Sequence, residues 1–467
     1  MPLLAVLAAV PVLLPTGSAP AVTATAELAV GAFETPDQRR SPWPHLLVLT
    51  AAIAGVLCAV ISLVQVLAPQ ALHGALGALI QPSHSEGRAV GHMRQPNHLA
   101  TVLLWGGVAW AALREHLRPP APIAWAGMAL LMIAVVFTGS RTGLLGVGFL
   151  LAWGLADRRL SRPTRSLLCA APLMAIATWC LLKLWNTQSS ADLGNTSRLL
   201  GEGGDVSSAR FAIWSNTWTL IQNQPWLGVG WGRFNIAWTL TPMPDRPLDF
   251  FGHPHNLPLL VLAELGLPLG IAVCAGLVAL LFIATRRAWQ AGAGVEGEGR
   301  GGDAAHRRAA LVMLGIVGWH SLLEYPLWYA YLSLPSALAL AVCLGWDRPW
   351  RRAARWQALL LMVGGGAALV CAAWAYADYR LISSIYAPGP QALPLAQRIE
   401  HGQSAHWFAN QAHYARATTF KPQPDQAWDA ATTQAFARAP GVLLDARLIM
   451  AWADALAARN APGDRDR

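Results

Sequence analysis

Residues 255–287 read HNLPLLVLAELGLPLGIAVCAGLVALLFIATRR. From Leu257 to Thr285 the one formally charged side chain is Glu264. Such a run exceeds the about 20 apolar residues that cross the hydrocarbon core of a bilayer. His255 and Asn256 precede it, and Arg286 and Arg287 close it. Arginine clusters mark the cytoplasmic end of a span. The stretch therefore reads as a membrane helix with its Arg286 end inside and its His255 end outside.

The rest of the chain follows the same pattern. Of its 467 residues, 54% are hydrophobic and 13% are charged, where a soluble domain carries roughly 25% charge. This excludes a disordered, collagen-like or disulfide-rich protein and argues against a cytosolic enzyme. Further apolar runs lie at Pro44–Ala68, Asn97–Leu113, Ala121–Thr138, Arg141–Ala156, Ser166–Trp185, Arg308–His320, Trp328–Trp346 and Gln357–Tyr376. Pro2–Phe33 is also apolar, but Pro11, Pro15 and Pro20 interrupt it. The expected fold is an all-α polytopic membrane bundle of about 9–11 spans. The 22 tryptophans suit the membrane–water interface.

The formal net charge of +9 is carried by arginine, since Lys183 and Lys421 are the sole lysines. Arginines cluster at Arg39/Arg40, Arg114/Arg118, Arg158–Arg165, Arg286–Arg308 and Arg348–Arg355, in alternate connections that are expected to be cytoplasmic. This pattern reads as topology, and no nucleic-acid partner is expected. The Gly-rich stretch Ala291–Gly302 reads as a flexible linker on that side. The expected organisation is N-terminal membrane segments (1–68), a membrane core (69–185), a long external loop (186–256), C-terminal spans (257–376) and a helical external tail (377–467). Pieces such as Leu393–Ala412 and Pro424–Ala437 read as amphipathic tail helices.

The six cysteines lie in or beside apolar runs and form no CxxC, so neither a zinc site nor a disulfide framework is expected. Asp464-Arg-Asp466 lies at the chain end and is read as accidental. No cofactor and no metal are expected.

The chemistry is expected where polar residues meet apolar surroundings on the outside. Arg94-Gln-Pro-Asn97 opens one span, and Thr138-Gly-Ser-Arg-Thr-Gly143 turns between two others. Arg210, Phe211 and Trp214 lie in the long loop, and Gly252-His-Pro-His-Asn-Leu257 ends it. Each has a bland alternative: Asn97 as a helix N-cap, Arg141 snorkelling to the surface, Arg210 solvated on an amphipathic helix, His255 merely capping. Outer arginines break the positive-inside pattern, however, and arginine binds diphosphate by bidentate hydrogen bonds. A histidine next to an N-capping Asn256 is kept neutral by the helix dipole and can act as a base. His253 is equally suitable on composition. Glu264, two turns into its span, is either a packing partner of an arginine or a functional acid. Glu324-Tyr-Pro326 occupies the next outer turn.

Taken in order, Ser140-Arg141, Ala209-Arg-Phe-x-x-Trp214, Gly228-Val-Gly230-x-Gly232 and His255-Asn256-x-x-Leu259 with Glu264-x-Gly266-x-x-x-Gly270 resemble the O-antigen ligase superfamily. Arg94-Gln-Pro-Asn-x-Leu-Ala100, His320-x-x-x-Glu-Tyr-Pro326 and the helical tail resemble its pilin-type protein O-oligosaccharyltransferase branch. The resemblance implies transfer of a glycan from undecaprenyl diphosphate to Ser or Thr hydroxyls of a pilin or other exported protein, at the periplasmic face of the bacterial inner membrane. It implies that Arg141 and Arg210, with Arg94 nearby, hold the diphosphate, and that His255 activates the acceptor. Gln95, Asn97, Asn256, Glu264, Glu324 and Tyr325 are the expected supporting residues. The transfer is expected to invert the anomeric carbon without a metal. Relative to the family, fewer spans precede Arg94, so the N-terminal part is expected to be shortened. The rival readings are ligation of O-antigen to lipid A-core, O-antigen polymerisation, transport, and a structural assembly role.

Overall fold

The computed structural model describes residues 42–458, apart from 74–76, 78–79, 81, 84–86, 190–192, 196–205, 244–245, 248–250, 292–299, 346–353, 390 and 423–427. Pro2–Phe33, Asp464, Asp466 and most of the Ala291–Gly302 linker lie outside the described residues. Among the described residues all regular structure is helical, as expected. Three helices are long and apolar enough to cross a membrane by length and composition: α1 (Trp43–Leu67), α5 (Arg162–Gln188) and α8 (Leu257–Gln290). Three shorter apolar helices accompany them: α3 (Ala121–Phe137), α4 (Arg141–Ala156) and α10 (Ala330–Leu344).

The hub of the bundle is α2 (Pro96–Leu117), which packs against α1, α3, α4, α5 and α9 (Arg300–Ser321). Gln95 starts it: its side-chain oxygen accepts the His98 N–H at 2.8 Å, and Pro96 fills the first helical position. The cap that was the bland alternative for Asn97 is thus supplied two residues earlier, by Gln95. At mid-height α1 and α2 meet through bare backbone. A Cβ on Gly55 would lie 2.5 Å from the Gly106 Cα, so only glycine permits this crossing. Trp105 then donates its Nε1–H to the Met313 carbonyl at 3.0 Å, tying α2 to α9.

At the arginine-rich end the arginines are not all solvated anchors. Arg308 is buried and pairs with the wholly buried carboxylate of Asp157, which also accepts from Trp153 Nε1–H. Arg307 donates to the Val342 carbonyl and Arg287 to the Leu344 carbonyl at 2.7 Å. Those carbonyls lie in the last turn of α10, where helical partners run out. These side chains fasten helix ends as well as marking a side.

The segment between α5 and α8 supplies α6 (Val206–Asn223) and α7 (Phe234–Leu240). Both pack on the first turns of α8 around buried Ile213, Leu220, Phe234 and Trp238. α8 is broken at Gly266, where φ is 76° and ψ 171°, a region open in practice to glycine alone. A Cβ there would also lie 2.4 Å from the Trp226 carbonyl oxygen.

The last long helix, α11 (Ala354–Tyr386), continues ten residues past Tyr376 and carries the tail. The amphipathic stretch expected at Leu393–Ala412 is two helices, α12 (Leu395–Gln403) and α13 (Ala409–Thr419), with a turn between them. Asp378 of α11 holds that turn by accepting the N–H groups of His406 and Trp407 at 3.0 and 2.6 Å. α14 (Ala430–Arg438) and α15 (Ala446–Ala458) close a small core around Tyr414, Phe436 and Leu448. The tail also touches the segment that carries α7. Leu444 accepts from Thr239 at 3.0 Å, and its N–H is taken by Asn235 at 2.9 Å.

Candidate active site

At the arginine-poor end the first turns of α2, α4 and α8 converge. Pro96 at N1 leaves the Asn97 side chain free of capping, and it points across the bundle. Its Oδ1 accepts the Ser140 hydroxyl at 2.6 Å, and its amide donates to Glu324 Oε1 at 3.3 Å. Ser140 itself caps α4 by accepting the Gly143 N–H at 2.9 Å. Asn256 caps α8 by accepting the Leu259 N–H at 2.9 Å and donates to the Leu322 carbonyl at 3.0 Å, which fixes the turn that carries Glu324.

Glu324 is the centre of the cluster. Its Oε2 lies 3.0 Å from His255 Nδ1, and its Oε1 lies 3.9 Å from a guanidinium nitrogen of Arg210. Burial opposes its ionisation. The hydrogen bond with His255 still holds the carboxyl below its usual range. His253 is pushed down to about 3 by burial and by the neighbouring His255, so it stays neutral at physiological pH. That agrees with its Nδ1 accepting the His255 N–H at 3.2 Å. The His255 backbone is left-handed, with φ 51°, unusual for a residue with a Cβ. The bonds on either side, from Trp214 Nε1–H to the Pro254 carbonyl and at Asn256, hold this geometry. Tyr325 packs its ring 3.5 Å from that of His253, and burial with Tyr329 alongside raises its pKa.

With Nδ1 facing a carboxylate, His255 presents Nε2 as its free acceptor for a hydroxyl proton. Arg210, the first turns of three helices, and Arg141 at N1 of α4 make the same region favourable for an anion. Arg210 is half-buried on a helix docked to α8, and not solvated on a surface helix. Arg141 is half-buried one residue from Ser140, and Arg94 is exposed beside Gln95 with a left-handed backbone.

His253, His255 and Glu324 could also ligate a divalent ion, their ligand atoms lying within 4.8 Å of one another. The guanidinium 3.9 Å from the same carboxylate opposes a second cation there. Among the described residues Glu264 pairs with no arginine. Its Oε1 accepts the Phe234 N–H at 3.3 Å, and the Gly232 N–H points to the same carboxyl, so it clamps the turn that begins α7.

Several residues of this end escaped the sequence reading. Buried Arg88 donates to the Thr138 and Gly139 carbonyls at 2.9 and 3.4 Å, bracing the turn that presents Ser140 and Arg141. Beneath Asn97, Thr101 meets His320 Nδ1 at 2.8 Å, and His98 meets the Tyr331 hydroxyl at 2.7 Å. A signal existed: Asn97 and Thr101 are four apart on one face of the helix, and with His98 they are the polar residues of its otherwise apolar upper half.

Comparison with known proteins places this arrangement. The family described as O-Antigen ligase matches residues 126–274, which hold Arg141, Arg210 and His255. The C-terminal part of the virulence factor membrane-bound polymerase family matches 308–460, which hold Glu324 and the tail. The chain is thus similar to the O-antigen ligase class of membrane proteins. More narrowly, the Protein glycosylation ligase family matches 89–113, which hold Arg94, Gln95 and Asn97. A curated relative, the General O-oligosaccharyltransferase of Acinetobacter baylyi, is 27% identical over 264 residues, or 55% of this chain. The matched part spans 43% of that relative's length. The resemblance to the protein O-oligosaccharyltransferase branch is borne out.

Proposed function

We propose that the protein transfers a glycan en bloc from undecaprenyl diphosphate to a Ser or Thr hydroxyl of a pilin-like or other exported protein. The observation that carries this is the His255–Glu324–Arg210 cluster set among three helix first turns. His255 Nε2 takes the acceptor proton as the hydroxyl oxygen attacks the anomeric carbon. The bond from that carbon to the diphosphate oxygen breaks on the opposite face, and undecaprenyl diphosphate leaves with its charge met by Arg141 and Arg210. In-line displacement inverts the anomeric centre. No step requires a metal or a cofactor. The site faces the periplasm from the inner membrane, a reading supported by the described arginines at the other end, such as Arg114, Arg158, Arg287 and Arg308.

The test uses purified full-length protein, an undecaprenyl-diphosphate-linked oligosaccharide and a pilin acceptor, with the product read by mass spectrometry. Glycosylated pilin is expected. Loss of transfer in His255→Ala and Arg210→Ala supports the site, and undiminished transfer in either overturns it. The match to O-Antigen ligase over residues 126–274 favours one second reading, ligation to lipid A-core. Glycan on lipopolysaccharide in cells, with none on protein, establishes that alternative.

A further inference from the structure

Gly266 lies at a particular depth. At 1.5 Å per residue, α8 is about 51 Å long, far more than the about 30 Å hydrocarbon core. Counting about 20 residues back from Arg286, the length of one span, arrives at Gly266, where the helix is broken. Below the break α8 exposes apolar side chains such as Leu269 and Ile271, 55% and 56% exposed, as a lipid-facing helix does.

The segment after α6 is fastened to this break. Leu267 donates to the Pro225 carbonyl at 2.7 Å, Val229 to Ala263 at 2.9 Å and Gly230 to Glu264 at 3.0 Å. Gly228, Gly230 and Gly232 all take left-handed backbone, and a Cβ on Gly228 would lie 2.5 Å from the Glu264 carbonyl oxygen. The knuckle is therefore rigidly built against α8, and its large side chains still turn outward. Trp226 is 76% exposed, Leu227 83% and Trp231 64%. Trp231 stacks on Trp328, centroids 5.9 Å apart and planes at 23°. Trp328 is followed in turn by Tyr325 at 6.2 Å, whose ring lies against His253.

We infer that the Pro225–Trp231 knuckle is embedded in the bilayer leaflet on the His255 side, and that its partner is lipid. The loop containing it is not wholly extramembranous, as the sequence pattern suggested. The exposed face of the knuckle continues the lipid-facing flank of α8 at the depth of the hydrocarbon boundary, where tryptophan is favoured and a bare leucine in water is not. Anchored there, it holds α6 and Arg210 at headgroup level, and the Trp231–Trp328 pair forms the sill between the leaflet and His253. This last role rests on the function proposed above; the embedding does not.

The test places a single cysteine at Leu227→Cys in full-length protein with its native cysteines replaced, labelled with an environment-sensitive fluorophore in lipid nanodiscs. Blue-shifted emission, quenched by acyl-chain nitroxide lipids and not by aqueous iodide, is expected. Quenching by iodide with no effect of the nitroxide lipids overturns the embedding, whatever the enzyme does. In the transfer assay, Leu227→Glu is expected to raise KM for the lipid-linked donor while sparing kcat, and Leu227→Phe to keep both. Equal KM in the two variants overturns the sill.

Discussion

Nδ1 of His255 lies 3.0 Å from Oε2 of Glu324, and the other oxygen of that carboxylate faces Asn97 and Arg210. One buried side chain thus orients the His255 imidazole and braces the Arg210 cation beside it. A carboxylate in this position fixes the imidazole tautomer and stabilises the imidazolium that forms during proton transfer.

Replacing Glu324 by Gln keeps the shape and removes the charge. The kcat for glycan transfer is expected to fall about 10²–10⁴-fold, the range lost when a base is misprotonated or misplaced. KM for the acceptor should change little. Steady-state kinetics on the detergent-purified variant decide this, and a KM effect alone would assign Glu324 to acceptor binding.

Arg210→Lys retains the charge and loses the planar fork. Charge-assisted hydrogen bonds contribute about 1.5–3 kcal/mol, so KM for the diphosphate donor is expected to rise by about one to two orders of magnitude. If lysine serves as well as arginine, Arg210 acts as a point charge and the bidentate role is wrong.

Glu264→Gln preserves an acceptor oxygen for the Phe234 N–H. Near-normal transfer is therefore expected, whereas a catalytic acid would be inactivated. Gly266→Ala, by contrast, meets the Trp226 carbonyl and carries about 1–3 kcal/mol of backbone strain. Its thermal unfolding midpoint should drop clearly in the same preparation.

Ser140→Ala removes the α4 cap and the bond to Asn97. About 1 kcal/mol of stability is expected to be lost with the cap. Transfer should also weaken, because Asn97 then holds Glu324 without support from below. A variant with normal melting and normal turnover would show the Ser140–Asn97 bond to be dispensable.

Asp378 gives a pH signature to the tail. Burial raises its pKa, but the N–H groups of His406, Trp407 and Phe408 outweigh this and hold the carboxyl below its usual range. Its stabilising effect is therefore fully present above the unfolded pKa of about 3.9 and is lost as pH falls through the lower folded value. Tail protection from proteolysis should be constant at neutral pH and decline below about pH 4. Asp378→Asn should show the weakened tail at every pH.

Much of this was legible in the sequence. Long apolar runs produce spans wherever they occur, so α1, α5 and α8 fall where composition places them. Arg141 and Arg210 stood out because a cation on the wrong side of a membrane needs a reason, and His255 because it precedes a cap. For Asn97 the sequence leaves capping and a site role both open, because Gln95 and Asn97 are both competent caps beside Pro96, and only the crossing of α2 and α4 decides between them. Glu264 and Arg308 were unreadable for a related cause. Their partners are a backbone N–H thirty residues away and a carboxylate on another helix, and such contacts leave no mark on local pattern. Arg88 sat in a stretch where no apolar period set it off.

The break at Gly266 bears on how the protein tolerates its solvent. Bilayers differ in thickness, and a helix answers mismatch by tilting. In an unbroken α8 each change of tilt would swing His255 away from Glu324. With the chain redirected at Gly266, the lower segment can lean as the membrane thins or thickens, while Leu257–Leu265, pinned by α6 and α7, stays in register with the turn that carries Glu324.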